Sequence, residues 1–155
     1  MANVSTLKAG GTSGTAAPKY VVPVQTHVID IADAVTAGLA TTNYVVVTTI
    51  PAETYLKVWD MKNATALSLG SGPRLDLGDG DYDDLYVSNA STLTVDTHHA
   101  LTGATTISST ARTEKFFATA GELRLKVTGG TIASGKVQVT YSLIPAVTNL
   151  IAEAS

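Results

Sequence analysis

The sequence contains no cysteine, so neither a disulfide nor a thiolate metal site is open to it. Charge is scarce as well: 15% of the 155 residues are Asp, Glu, Lys or Arg, where an ordinary soluble domain has roughly a quarter. Lys and Arg form no run. The ten of them are scattered along a chain of formal net charge −3, so the electrostatic footprint that holds a phosphate backbone is missing and nucleic acid is excluded as the expected partner. Aromatic residues make up only 6%, little material for the exposed rings of a sugar-binding module. Long apolar runs are absent too. Stretches such as Tyr44 to Val47 are far too short to cross a bilayer. The start, MANVSTLKAGG, lacks the apolar middle of a signal peptide, which predicts a chain made and folded in cytoplasm with no membrane partner.

What the chain does have is apolar and weakly polar bulk. Hydrophobic residues are 45% of it, and at this length a domain buries roughly two-thirds of the surface its unfolded form exposes. With charge so sparse, Thr, Ser, Ala and Gly must cover the outside. Such a skin can be buried against another subunit at little desolvation cost. This points to oligomerisation, with a monomer wearing a threonine-rich exterior as the alternative.

Residues 1–19, with Gly10, Gly11 and Gly14 among many Ser, Thr and Ala, have too little apolar periodicity to form an element and read as a flexible arm. Such an arm is mobile alone or orders on a neighbouring subunit. Residues 20–145 read as one domain, in which short apolar runs with a period of two are separated by Gly, Pro, Asn and Asp. Tyr20 to Asp33 is the first run, with Pro23 suited to an edge or a bulge. In Asn43 to Ile50, Val45 and Val47 point one way and Tyr44 and Val46 the other. After the turn at Pro51, Ala52 and Glu53, Leu56 and Val58 oppose Tyr55, Lys57 and Trp59 in the run Thr54 to Met61, and these two runs together predict a hairpin. Leu75 and Leu77 face inward before Gly78-Asp79-Gly80 breaks the strand. Leu85 to Val87, Leu93 to Val95 and Thr105 to Ser108 are shorter candidates.

The last third is the most regular. Leu123, Leu125 and Val127 alternate with Glu122, Arg124 and Lys126, and Val137, Val139, Tyr141 and Leu143 alternate with Lys136, Gln138, Thr140 and Ser142. That pattern belongs to antiparallel sheets covered on one face. About nine strands without a crossover helix predict an all-β fold, an antiparallel β-sandwich of jelly-roll-like form. The tail, residues 146–155, preceded by Pro145, is the one helical candidate and is too short to stand without a docking partner.

No motif points to chemistry. Gly130-Thr131-Ile132-Ala133-Ser134-Gly135-Lys136 has the glycine and lysine spacing of a phosphate-binding loop, but Val137 stands where the magnesium-binding hydroxyl belongs and a strand follows where a helix is required. In the acidic stretch Asp76, Asp79, Asp81, Asp83 and Asp84, three carboxylates fall at every second position. That spacing suits a hard cation such as calcium, yet an EF-hand loop begun at Asp79 would end on Ala90 where a bidentate glutamate is needed, so a solvated turn is the expectation. His27, His98 and His99 lack metal-ligand spacing, and no serine sits in a nucleophile elbow. Glu53, Glu114, Glu122 and Glu153 form no pair for glycoside hydrolysis. Trp59 is the only tryptophan; with Tyr55 it reads as core or subunit contact ahead of a carbohydrate platform. The sequons at Asn3, Asn63 and Asn89 matter only in a secreted eukaryotic protein. We therefore expect no catalytic residues, no metal and no cofactor.

The run Ile50-Pro51-Ala52-Glu53-Thr54-Tyr55-Leu56-Lys57-Val58, then Leu75-Asp76-Leu77-Gly78-Asp79-Gly80, and finally Leu123 to Thr131 with Gly135-Lys136-Val137, resembles small head proteins of tailed bacteriophages over about residues 28–144. In those proteins a turn like PAGT precedes a strand, a DLGDG turn follows the next, and a TGG…GKV hairpin closes the domain. Glu53 departs from the glycine of that first turn. The resemblance implies a capsid decoration, or cement, protein: a jelly-roll-like sandwich that forms a homotrimer on the capsid exterior of the virion and bridges subunits of the major capsid protein. It carries no active-site residues, so the expectation is a structural protein and not an enzyme. A receptor-binding or carbohydrate-binding module of the virion is the alternative.

Overall fold

The computed structural model describes residues 23–40, 43–68, 72, 74–101, 113–128 and 133–146. The expected arm (1–19), the tail beyond Ala146 and the candidate strand Thr105 to Ser108 lie outside them.

Wherever the sequence alternates strongly, a strand forms. Eight strands occur among the described residues: β1 Gln25–Asp30, β2 Tyr44–Ile50, β3 Thr54–Asn63, β4 Arg74–Gly78, β5 Val87–Ala90, β6 Glu114–Phe117, β7 Gly121–Thr128 and β8 Lys136–Pro145. They make two four-stranded sheets, β1-β8-β3-β6 and β2-β7-β4-β5, and every pairing is antiparallel. Strand 1 pairs with 8, 2 with 7, 3 with 6 and 4 with 5, while the added contacts 8 to 3 and 7 to 4 join neighbouring pairs. A long antiparallel ribbon rolled onto itself produces that order, which is the jelly roll of two packed sheets. The expected all-β sandwich is therefore what the chain adopts.

The core lies between the sheets. Leu56, Val58, Met61, Val137 and Val139 from one sheet meet Leu75, Leu77, Leu123, Leu125 and Val127 from the other, all of them fully or almost fully buried. Each such side chain contributes roughly 1.5–3 kcal/mol relative to leaving it in water. Gly78 sits where the chain turns back over its own strand: a Cβ there would lie 2.0 Å from the Tyr82 carbonyl oxygen, so no other residue fits.

Three expectations differ from the structure. The runs Asn43 to Ile50 and Thr54 to Met61 are not a hairpin, because β2 pairs with β7 and β3 pairs with β8 and β6, in different sheets. Alternation fixes which face a residue occupies, and both runs have a buried face, but it is silent about the partner strand. The turn between them crosses from sheet to sheet, with Glu53 in the left-handed region at φ 55°. A short helix, α1 Ile31–Thr36, ends the run that began at Tyr20: Asp30 caps it by accepting from the amides of Ala32 and Asp33, and fully buried Ile31 anchors it. Leu93 to Val95 form a turn and no strand, held by the Asn63 side chain.

Candidate functional site

The aromatic residues that sequence reading divides between core and interface stand outside. On β3, Tyr55, Lys57 and Trp59 alternate outward while Leu56 and Val58 go inward. β6 pairs Phe116 directly with Tyr55, and β8 pairs Ile144 with Tyr55 from the other side. Tyr55, Trp59 and Phe116 are 43%, 46% and 39% exposed. The rings of Tyr55 and Phe116 touch, with centroids 4.8 Å apart and planes tilted by 51°.

A bulge fixes Trp59. Thr140 faces Asp60 and Tyr141 faces Val58, so Trp59 is an extra residue with no partner across the ladder. The bulge also moves the inward phase from Leu56 and Val58 to Met61 and Asn63. Trp59 donates its indole N–H to Ser142 Oγ at 2.8 Å, and Ser142 is fully buried although it belongs to the outer side of β8. The ring is thus held down on the sheet, with the Lys57 ammonium 4.5 Å from its centroid.

Charge gathers where the loop after β4 meets both sheets, with Lys115 on β6 and Arg124 and Lys126 on β7. The predicted solvated turn of aspartates is instead an ion-paired loop: Asp79 is buried and its Oδ1 accepts the amides of Asp81 and Tyr82, while Lys115 Nζ donates to Asp79 Oδ2 at 2.7 Å and to Asp81 Oδ2 at 3.0 Å. Lys126 pairs with Asp83 at 2.7 Å and Arg124 with Glu122 at 2.8 Å. Asp79, Asp81 and Asp83 therefore each face an ammonium group, and no group of three or more His, Asp or Glu able to hold a metal ion occurs among the described residues. Desolvation alone would pull the Lys115 pKa down, but hydrogen bonds and charge from Asp79 and Asp81 together outweigh it and hold it above the usual lysine value. The hydrogen bond that Arg124 donates to Glu122 raises the Arg124 pKa. Burial pushes the Asp76 carboxyl up, against the lowering effect of the Asn89 amide that it accepts at 2.6 Å.

The histidines do not assemble. His27 is exposed on β1, and exposed His98 meets Asp60 through Nδ1 at 2.8 Å. His99 is buried with Nε2 2.8 Å from Asn63 Oδ1. Burial lowers its pKa, so the ring is a neutral structural element. Asn63 is itself fully buried, which closes that sequon to a glycan. Of the loop that mimics a phosphate site, Gly130 to Ile132 lie outside the described residues; Gly135 turns with φ 115° and Lys136 opens β8 beside Asp30, at 3.5 Å.

An open groove of about 670 Å³ lies at the end of the sandwich between Ile50, Pro51, Asp81, Lys115, Phe116 and Arg124. Its cations are the ones already paired with Asp79, Asp81 and Glu122, so it offers no free charge for an anionic substrate. No described helix is long and apolar enough to cross a membrane. The described residues thus present exposed rings on one sheet and paired charges around the loop after β4.

No family model matches the chain, and no curated protein does. Among solved structures, one chain of the cyanophage Pam1 capsid asymmetric unit superposes with a TM-score of 0.57 at 17% identity, over 90% of this chain and 99% of that one. At that identity the two chains share a fold.

Proposed function

We propose that this chain is a structural protein of a tailed-phage virion, a decoration or cement protein that trimerises on the outer capsid surface and ties coat-protein subunits together without catalysis. The observation that carries the reading is the likeness, over nearly the whole of both chains, to a component of a phage capsid asymmetric unit. A charge-poor composition with 15% Asp, Glu, Lys and Arg and an outer sheet face bearing exposed rings support it. A shell under internal pressure needs many simultaneous contacts, and repeated weak contacts multiply through effective concentration.

The test is addition of the purified protein to expanded capsids that lack it. Co-sedimentation and electron-microscopic density on the exterior, bridging coat subunits, are the expected result. Protein left in the supernatant at micromolar concentration rejects the reading.

The second reading, a receptor-binding or carbohydrate-binding module, draws on the exposure of Trp59 and Tyr55. The geometry favours it less. The Trp59 N–H is committed to Ser142 and its ring is attended by Lys57, while the Tyr55 and Phe116 planes are tilted and form no flat stacking platform. A glycan array with reproducible hits would reverse that order.

A further inference from the structure

We infer that the outer face of the β1-β8-β3-β6 sheet, centred on Trp59, Tyr55 and Phe116, is the surface through which one copy of this chain binds a second copy. The inference rests on the self-association in the proposed function and adds where it occurs.

Exposed large rings are the first observation. Three aromatic residues of a chain with few of them converge on one face with Ile144, in the composition typical of an interface centre. Preparation is the second. Trp59 is locked by the bulge and by its bond to Ser142, so little side-chain freedom remains to be lost on docking.

Charge identifies the occupant. The outward positions of this sheet hold three cations, Lys57, Lys62 and Lys136, and three carboxylates, Asp30, Asp60 and Glu114. Lys57 lies 3.8 Å from Glu114, Lys62 3.6 Å from Asp96 and Lys136 3.5 Å from Asp30, while Asp60 bonds His98. A face with balanced and internally paired charge has no field with which to select an acidic or a basic partner. A second copy of the same face brings the same three cations, three carboxylates and exposed rings, so two copies meet without net repulsion. The opposite sheet differs: the loop of Asp79, Asp81 and Asp83 lies over β7, where Asp83 pairs with Lys126 and Gly80 sits against the Arg124 guanidinium.

The experiment is light scattering coupled to size-exclusion chromatography on the full chain, wild type beside Phe116→Lys, Tyr55→Lys and the opposite-sheet control Tyr44→Lys. Both altered rings are exposed, and thermal melting by circular dichroism verifies that each variant folds. The wild type is expected to run as an oligomer at micromolar concentration. Phe116→Lys and Tyr55→Lys are expected to weaken association by about 30-fold or more, as loss of a central contact does, with Tyr44→Lys unchanged. A wild-type oligomer that persists equally in both variants overturns the assigned face and leaves the proposed function standing. A wild type that is monomeric at every concentration overturns the inference itself, while capsid co-sedimentation decides the proposed function separately.

Discussion

His99 donates its Nε2 proton to Asn63 Oδ1 across 2.8 Å inside the sandwich, and the direction is fixed by the other end of the amide. Asn63 Nδ2 gives one proton to the Thr92 carbonyl and one to the Thr94 carbonyl, both at 2.9 Å, so its oxygen must face the imidazole. The backbone repeats the clip, since Asn63 N–H donates to Thr97 and Asp96 N–H donates back to Asn63. Asn63→Ala would take the partner from two carbonyls and from the ring N–H of buried His99. The expected loss is about 2–4 kcal/mol by urea unfolding. Asn63→Asp should be at least as damaging, because a carboxylate has nothing to donate to Thr92 and Thr94.

Burial that lowers the His99 pKa also makes stability depend on pH. The unfolded chain takes up a proton near the ordinary histidine value of 6.5, while the folded chain resists protonation until lower pH. The contribution of neutral His99 is therefore complete above pH 6.5 and is lost as pH falls toward the folded value. Asp76 acts with the opposite sign, since its raised pKa means that the folded state takes up its proton first. His99→Gln keeps a donor for Asn63 and cannot titrate. Urea midpoints at pH 7.5 and 5.5 should drop more for the wild type than for His99→Gln; equal drops would remove His99 as the source.

Much of the fold is legible in the sequence because alternation survives wherever one face is buried. Leu123, Leu125 and Val127, and Val137, Val139 and Tyr141, are inward as their spacing demands. What stays hidden is non-local or short. The bulge at Trp59 comes from the register of β3 on β8 and has no signature within β3 itself. Helix α1 has six residues, too few for a period to declare itself, although Asp30 ahead of Ala32 and Asp33 is a capping residue in plain view. β6 escapes sequence reading because only Phe117 of its four residues is buried, as an edge strand permits. On the candidate surface, alternation puts Tyr55 and Trp59 on the correct side of their strand. Phe116 gives no such signal, since its pairing with Tyr55 joins segments far apart in the chain.

Lys115 and the buried Asp79 carboxylate are likewise invisible to each other in sequence and bonded in space at 2.7 Å. Removing only the lysine leaves a carboxylate with no counter-charge, and its side chain is just 1% exposed. Lys115→Met is expected to cost about 3 kcal/mol. Asp81→Asn, which breaks the exposed half of the pair, should cost at most about 1 kcal/mol. The amide oxygen introduced by Asp79→Asn can still accept the backbone N–H groups of Asp81 and Tyr82 that Asp79 Oδ1 now holds. Adding Asp79→Asn to Lys115→Met should therefore recover part of the loss. A double-mutant cycle in urea measures it, and strict additivity would deny the coupling.

Glu53 makes the turn between the two sheets at φ 55°, where the Cβ of an L-residue crowds its own carbonyl. Its carbonyl oxygen accepts the Ala146 amide at 2.9 Å, so the turn cannot relax without releasing the chain after β8. The resembling phage head proteins have glycine at this place in the pattern, and glycine removes the crowding at the cost of extra freedom in the unfolded chain. The two effects oppose each other and differ in size. Glu53→Gly is expected to stabilise the fold by about 0.5–1 kcal/mol, read as a higher urea midpoint at constant slope. Ala52→Gly, next door but without a left-handed φ, should lose stability under the same measurement, and a gain there equal to that of Glu53→Gly would mean that backbone strain at Glu53 is not the cause.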